Sequence, residues 1–303
     1  MCSVPLPRRA LAGLALAAAA PRLTRAAAAA TSLRSTEWEM RTPAGIRHRI
    51  QLGWPDALPP AGGYPAMLLL DGQTTYPMAQ AVAQPPSGQE PPRDLEAALL
   101  VGLTYPEDAF DSGLGVDSRT RDYTLPGPSA PPGAGGVEAF LDFIENHLLP
   151  ELASRFPLNP DRLALFGHSY GGLCALHAFF TRPALFGTTI AASPSIWWQQ
   201  GVLLKEEQRF VAALPPGTSR RHLLITVGAR EQRSEAELAA MEPRRRERAQ
   251  SSNMVGRAAA MAERLAGLGA GAPQLEFVSF AGEDHGSVIS PAMRRALRFA
   301  LGR

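Results

Sequence analysis

Thiols and lysines are almost missing from this chain of 303 residues, which has two cysteines and one lysine, Lys205. Cys2 lies in the N-terminal segment and Cys174 stands alone beyond it, so no intrachain disulfide is expected after residue 30. Lys205 sits in a polar run, which argues against Schiff-base chemistry. The six histidines show no metal-ligand spacing such as H-E-x-x-H, and there is no paired C-x-x-C. No metal and no cofactor is therefore expected. Long apolar runs are missing as well. The uncharged stretch 10–20 is too short to span a bilayer. It follows Arg8-Arg9 and precedes alanines 26–30, which offer A-x-A cleavage sites. This is the pattern of a secretory signal peptide over residues 1–30, and the arginine pair also fits the twin-arginine route. Cys2 precedes the apolar run and is not placed for a lipid anchor. An exported protein, periplasmic or secreted and without a stable membrane anchor, is expected.

An excess of one charge is lacking too. The net charge of +2 comes from the leader, whose four arginines face no acid. What remains carries 26 basic and 28 acidic side chains, so no nucleic-acid partner is expected. About 270 residues suit one α/β domain, expected over 31–303.

Short apolar runs punctuate the rest. Residues 36–41 and 46–54 alternate charged and apolar side chains, as in a half-solvated antiparallel pair. Runs 66–70, 97–103 and 222–227 read as buried strands, and 163–166, 188–192 and 275–280 as further strands. Between them, Val137, Phe140, Leu141, Ile144, Leu148 and Leu152 recur at helical spacing, and Pro150 is expected to kink or break that helix. A further helix is expected over 254–265, preceded by an Arg-rich segment, 244–248, that reads as a solvated helix start. Ser290-Pro291 signals the N-terminus of a closing helix. Strands alternating with helices imply a mostly parallel sheet covered on both faces. The loop 104–136 is long, as functional loops are.

Within this pattern, Gly167-His168-Ser169-Tyr170-Gly171 matches G-x-S-x-G, with an apolar run before it and a helical pattern after it. Strand, sharp turn and helix together make a nucleophile elbow. A serine hydroxyl is weakly nucleophilic, so it must be presented at once to a base and to the substrate. Of the six histidines, His285 lies far downstream, just past the last strand, where ligands bind in such sheets. The orienting acid should follow the preceding strand. Glu231 is the nearest, with Glu235 as the alternative and a Ser-His dyad as a third reading. Asp284 adjoins His285 but is poorly placed to reach its ring. The oxyanion donors expected are the backbone N–H groups of Tyr170 and Gln73.

These residues carry a resemblance. Leu69-Leu70-Asp71-Gly72, the elbow through Gly172, Ser193-Pro194-Ser195-Ile196-Trp197-Trp198, Val227-Gly228 with Glu231, and Asp284-His285-Gly286 resemble the esterase branch of the α/β-hydrolases. Within it the chain is most similar to esterases that cut the trilactone siderophores enterobactin, salmochelin or bacillibactin. The Ser-Pro-Ser-Ile-Trp-Trp run and Arg121-Asp122-Tyr123-Thr124 are its more specific features. The resemblance implies an α/β-hydrolase fold and hydrolysis of a small-molecule ester or lactone, with Ser169 and His285 catalytic. Some of these esterases are described as Ser-His dyads, which leaves the role of Glu231 open. Arg119 and Arg121 are candidates for meeting an anionic substrate, and Trp197 and Trp198 for an aromatic wall. A broad-specificity carboxylesterase and an S-formylglutathione-hydrolase-like thioesterase are the competing readings. A non-catalytic binding protein of the same fold would be expected to lack the serine or the histidine, and both are present.

Overall fold

The structure is a computed structural model that describes residues 33–84, 94–109 and 117–302. The expected leader, with Cys2, lies outside the described residues. Among them, β1 (Leu33–Arg41), β2 (Arg47–Pro55), β3 (Tyr64–Leu70), β4 (Leu99–Thr104), β5 (Leu158–His168), β6 (Thr188–Ala192), β7 (His222–Gly228) and β8 (Gln274–Phe280) form one sheet. Its order is β1-β2-β4-β3-β5-β6-β7-β8. β1, β2 and β4 pair antiparallel, and every pairing from β4 to β8 is parallel.

Alternation along the central strands sorts their side chains into two layers. Leu68 and Leu165 join the layer under helices Val137–Phe143, Tyr170–Thr181 and Met254–Ala266. Met67, Leu69 and Phe166 face the layer under helices Gly72–Ala83 and Ile289–Leu301. A fully buried Leu or Phe contributes roughly 1.5–3 kcal/mol, so two apolar faces on one strand fix its register firmly. Cys174 lies in the first layer, fully buried, and burial pushes its thiol up.

Three segments differ in detail from expectation. The helix expected through 152 runs as Val137–Phe143, one π turn over Ile144–Leu148, and Leu149–Arg155. Pro150 sits in the first turn of the last piece, where a missing N–H costs little, and the wide turn ahead of it absorbs the break. The closing helix starts at Ile289, ahead of Ser290-Pro291, because the chain already turns at Asp284, whose carbonyl accepts the Val288 N–H. The Arg-rich segment is itself a helix, Pro243–Ser252, and Asn253 at φ 35° breaks it from the next.

The long loop carries a helix, Ser118–Tyr123, capped by Asp117, whose side chain accepts the Thr120 N–H at 2.6 Å. Asp122 fastens it to the body. Its carboxylate takes two bonds from Arg121, at 2.6 and 2.8 Å, and one from the Tyr105 hydroxyl at 3.0 Å.

Candidate active site

Where β5 ends, Ser169 adopts φ 60°, ψ −113°, a conformation that a side chain occupies at a cost of roughly 1–3 kcal/mol. The turn is possible because Gly167 has no side chain. A Cβ there would lie 2.0 Å from the Gly171 carbonyl oxygen. The turn is tied on both sides: the Ser169 N–H donates to Ala192 O at 2.9 Å, and its own carbonyl accepts the Ser195 N–H at 3.1 Å.

The parallel sheet brings the other groups to the same edge. Glu231 lies in a short turn directly after β7, and His285 lies in the loop after β8. His285 Nδ1 is 2.7 Å from Glu231 Oε2, and His285 Nε2 is 3.0 Å from Ser169 Oγ. An ionised carboxylate only accepts, so Nδ1 carries the proton and Nε2 is left to accept from the serine hydroxyl. Burial pushes the Glu231 carboxyl up, but hydrogen bonds from His285, Ser193 and the Gly228 N–H outweigh it and hold the group below its ordinary value. The Glu231 side chain is 3% exposed and that of His285 46%, so the acid is sealed while the base faces the cleft. Glu235 instead opens the helix Glu235–Ala239. Asp284 shapes the histidine loop, accepting the N–H groups of Gly286 and Ser287 at 3.0 and 2.9 Å.

Tyr170 and Gln73 occupy matching places. Leu69 on β3 pairs with Phe166 on β5, and each residue lies four positions further on, in the first turn of a helix. Both helices therefore begin at the same end of the sheet.

A cavity of about 510 Å³ opens over Ser169 and His285. Arg119 and Trp197 line it, as does Ser195, whose Oγ is 3.4 Å from Ser169 Oγ. Arg119 grips Asp71 at 2.8 and 3.0 Å and reaches the His168 carbonyl at 3.4 Å. Burial disfavours its charge, but the Asp71 carboxylate outweighs that and raises it. Arg121 and Trp198 do not reach this cavity. The Arg121 guanidinium is spent on Asp122, and the Trp198 indole is buried, donating to Leu125 O at 2.7 Å. Sequence reasoning missed Arg233 and Arg245, which line the cavity from the segment after β7. It also missed His168, whose Nε2–H donates to the His285 carbonyl at 2.8 Å while the two rings lie 4.6 Å apart. Among the described residues, no group of three or more His, Cys, Asp or Glu is arranged to hold a metal ion.

Two buried histidines set an acid sensitivity. Burial, and then the neighbouring His285, push His168 down to about 3, and burial pushes His48 down to about 4 despite Asp122. Both rings stay neutral in the folded chain while an unfolded imidazole titrates near ~6.5. As pH falls below that value the unfolded state binds protons that the folded state refuses, so stability is lost progressively toward pH 4 and below. Thermal melts between pH 7.5 and 4.5 should show the midpoint falling, and less steeply in His48→Phe. An equal slope in that variant would remove His48 from the account.

A serine on a strand-helix elbow, with a histidine at its hydroxyl and a carboxylate behind the histidine, on a mostly parallel sheet, is the arrangement of a serine hydrolase of the α/β-hydrolase type. The chain belongs to the esterase family whose model, described as "Putative esterase", matches residues 44–260. It is 34% identical over 267 residues to a ferri-bacillibactin esterase of Bacillus subtilis, covering 84% of each chain. It is likewise 34% identical over 274 residues to a siderophore triacetylfusarinine C esterase of Aspergillus fumigatus, covering 87% of this chain and 91% of that one. Among solved structures, the BES protein of Bacillus cereus superposes with a TM-score of 0.75 at 28% identity, over 89% of this chain and 95% of that one. The siderophore hydrolase EstB of Aspergillus nidulans superposes at 0.71 and 30% identity, over 88% and 95%. The chain is an ester-hydrolysing enzyme. No described helix is long and apolar enough to cross a membrane.

Proposed function

We propose that this enzyme opens the ester bonds of a large, anionic, aryl-bearing siderophore lactone outside the cytoplasm, through an acyl-enzyme on Ser169. The observation that carries the substrate class is the cavity. Arg245, together with Arg119, which Asp71 holds, Arg233, which lies 3.7 Å from Glu237, and the Trp197 indole, surrounds the serine, and the one carboxylate among the lining residues, Glu231, is engaged by His285. Guanidinium groups bind carboxylates and phenolates, and an indole stacks on aryl rings. The names of the relatives support a siderophore ester: one is an esterase of ferri-bacillibactin and another of triacetylfusarinine C.

In this reading His285 Nε2 takes the proton of Ser169 as its oxygen attacks the ester carbon. The N–H groups of Tyr170 and Gln73 receive the oxyanion. The C–O bond then breaks, and the leaving alcohol departs with the proton from His285. Water, deprotonated by the same ring, attacks the acyl-enzyme and frees the acid and Ser169. Glu231 keeps the ring in its tautomer throughout.

The charge reading is tested with a panel holding a catecholate trilactone, an uncharged hydroxamate siderophore ester, a long-chain lipid ester and p-nitrophenyl acetate. Arg245→Ala should raise KM for the catecholate roughly 10-fold, the cost of one charged hydrogen bond, and leave that for p-nitrophenyl acetate unchanged. Arg121→Ala should change neither KM, because its side chain is turned to Asp122. Faster turnover of the lipid ester than of any siderophore would overturn the substrate class and leave the serine esterase standing.

A further inference from the structure

Ser193 follows the last residue of β6 and is fully buried at φ 42°. That region favours glycine, and a serine held there costs roughly 1–3 kcal/mol. Its neighbour Pro194 restricts the preceding residue further. A glycine would fit the turn without strain, and the Ser193 backbone needs no side chain for its own bond, an N–H donated to Thr226 O at 2.7 Å. The position nevertheless keeps a hydroxyl, and that hydroxyl is directed at the catalytic edge. Ser193 Oγ donates to Glu231 Oε1 at 2.5 Å. The same oxygen accepts the Gly228 N–H at 2.7 Å, while Oε2 faces His285 Nδ1 at 2.7 Å.

We propose that Ser193 is a positioning residue of the hydrolysis, whose hydroxyl pins one oxygen of Glu231 so that the other meets His285. The proposal rests on the triad reading given above. Two donors on Oε1, one from each of the strand ends β6 and β7, fix the rotation of the carboxylate about its last bond. With the Glu231 side chain only 3% exposed, water from the cleft has little room to replace a donor that is removed. Losing the Ser193 hydroxyl therefore frees the carboxylate to turn toward the remaining donor and away from the imidazole. Ser193 touches neither the substrate nor the reacting atoms, so its whole effect passes through Glu231.

The test is a double-mutant cycle with p-nitrophenyl acetate, reading kcat, KM, the rate of fluorophosphonate labelling and the melting temperature. Ser193→Gly should lower kcat and the labelling rate roughly 10-fold, the value of a hydrogen bond to a charged group, with KM unchanged and the melting temperature not reduced. Ser193→Ala, which keeps the strain and loses the hydroxyl, should show the same loss of kcat with a lower melting temperature than Ser193→Gly. In a Glu231→Ala background, Ser193→Gly should change kcat less than about two-fold, because the group it acts through is gone. An equal loss in both backgrounds, or no loss in the otherwise unaltered enzyme, overturns the proposal while the triad stands. If Glu231→Ala alone leaves kcat unchanged, the triad reading fails, and the role of Ser193 fails with it.

Discussion

Ser169→Ala is expected to lower kcat by roughly 10⁴- to 10⁶-fold on every ester substrate and to leave the fold intact, because in the proposed mechanism the serine acts as one unit with its base. The side chain lost is a single oxygen, which meets His285 at 3.0 Å and Ser195 at 3.4 Å. No strand or helix contact depends on it. What holds the elbow is backbone: the bonds to Ala192 and from Ser195, and the close approach at Gly167. The backbone strain at φ 60° is untouched by alanine but relieved by glycine. Ser169→Gly should therefore be equally inactive and melt at a higher temperature than the unaltered enzyme, since function at this position opposes stability. Turnover of p-nitrophenyl acetate, covalent labelling by a fluorophosphonate and a thermal melt check the three statements. More than about a tenth of the activity remaining in Ser169→Ala would remove the serine from the chemistry.

Gly167→Ala should be the most damaging small substitution near the site, and for a different reason. The added methyl would lie 2.0 Å from Gly171 O and 2.2 Å from the Gly171 carbonyl carbon. Both are backbone atoms of the helix that leaves the elbow, so no side-chain rotation relieves the overlap. Either the helix Tyr170–Thr181, whose inner face is wholly buried, backs away from β5, or the strand shifts against its neighbours. Overpacking of this kind costs about 3 kcal/mol or more. In a chain of this size that lowers the melting temperature by roughly 6–12 °C. Activity should fall with it, because a shift of about 1 Å at the nucleophile is enough to cost roughly 100-fold. A variant that melts and turns over as the unaltered protein does would show that strand and helix can separate there at no cost.

The parts of this architecture that were legible in the sequence are those written locally. Buried parallel strands appear as short continuous apolar runs, and 188–192 matches β6 residue for residue. The elbow is a contiguous motif, and the chain order of the strands points to the loops after β7 and β8 as the places to look for the acid and the base. What was illegible depends on direction or on distant chain returning. Arg119 and Arg121 look equivalent in a loop, yet they lie two positions apart on a helix, so their side chains leave its axis about 160° apart. One reaches the cavity and the other meets Asp122. Recognising Asp117 as a cap would have revealed the helix and forced a choice between them. Trp197 and Trp198 part in the same way where a strand end turns into a helix. Arg245 reads as a solvated residue because nothing near it in sequence records that helix Pro243–Ser252 returns to the cavity. The strain at Ser193 has no sequence signature at all, since φ is chosen by the turn and not by the residue.

The buried Cys174 has one more consequence. A thiolate, not a thiol, is what oxidants, disulfides and alkylating reagents attack, and burial pushes this thiol up while keeping solvent away from it. Its sulfur lies in the core, on the helix that follows Ser169, without becoming a second reactive centre there. Reducing and oxidising surroundings therefore meet the same inert side chain, and the catalytic edge is held by hydrogen bonds, ion pairs and packing. Among the described residues no disulfide holds the catalytic edge, so its geometry does not depend on the redox state of the surroundings.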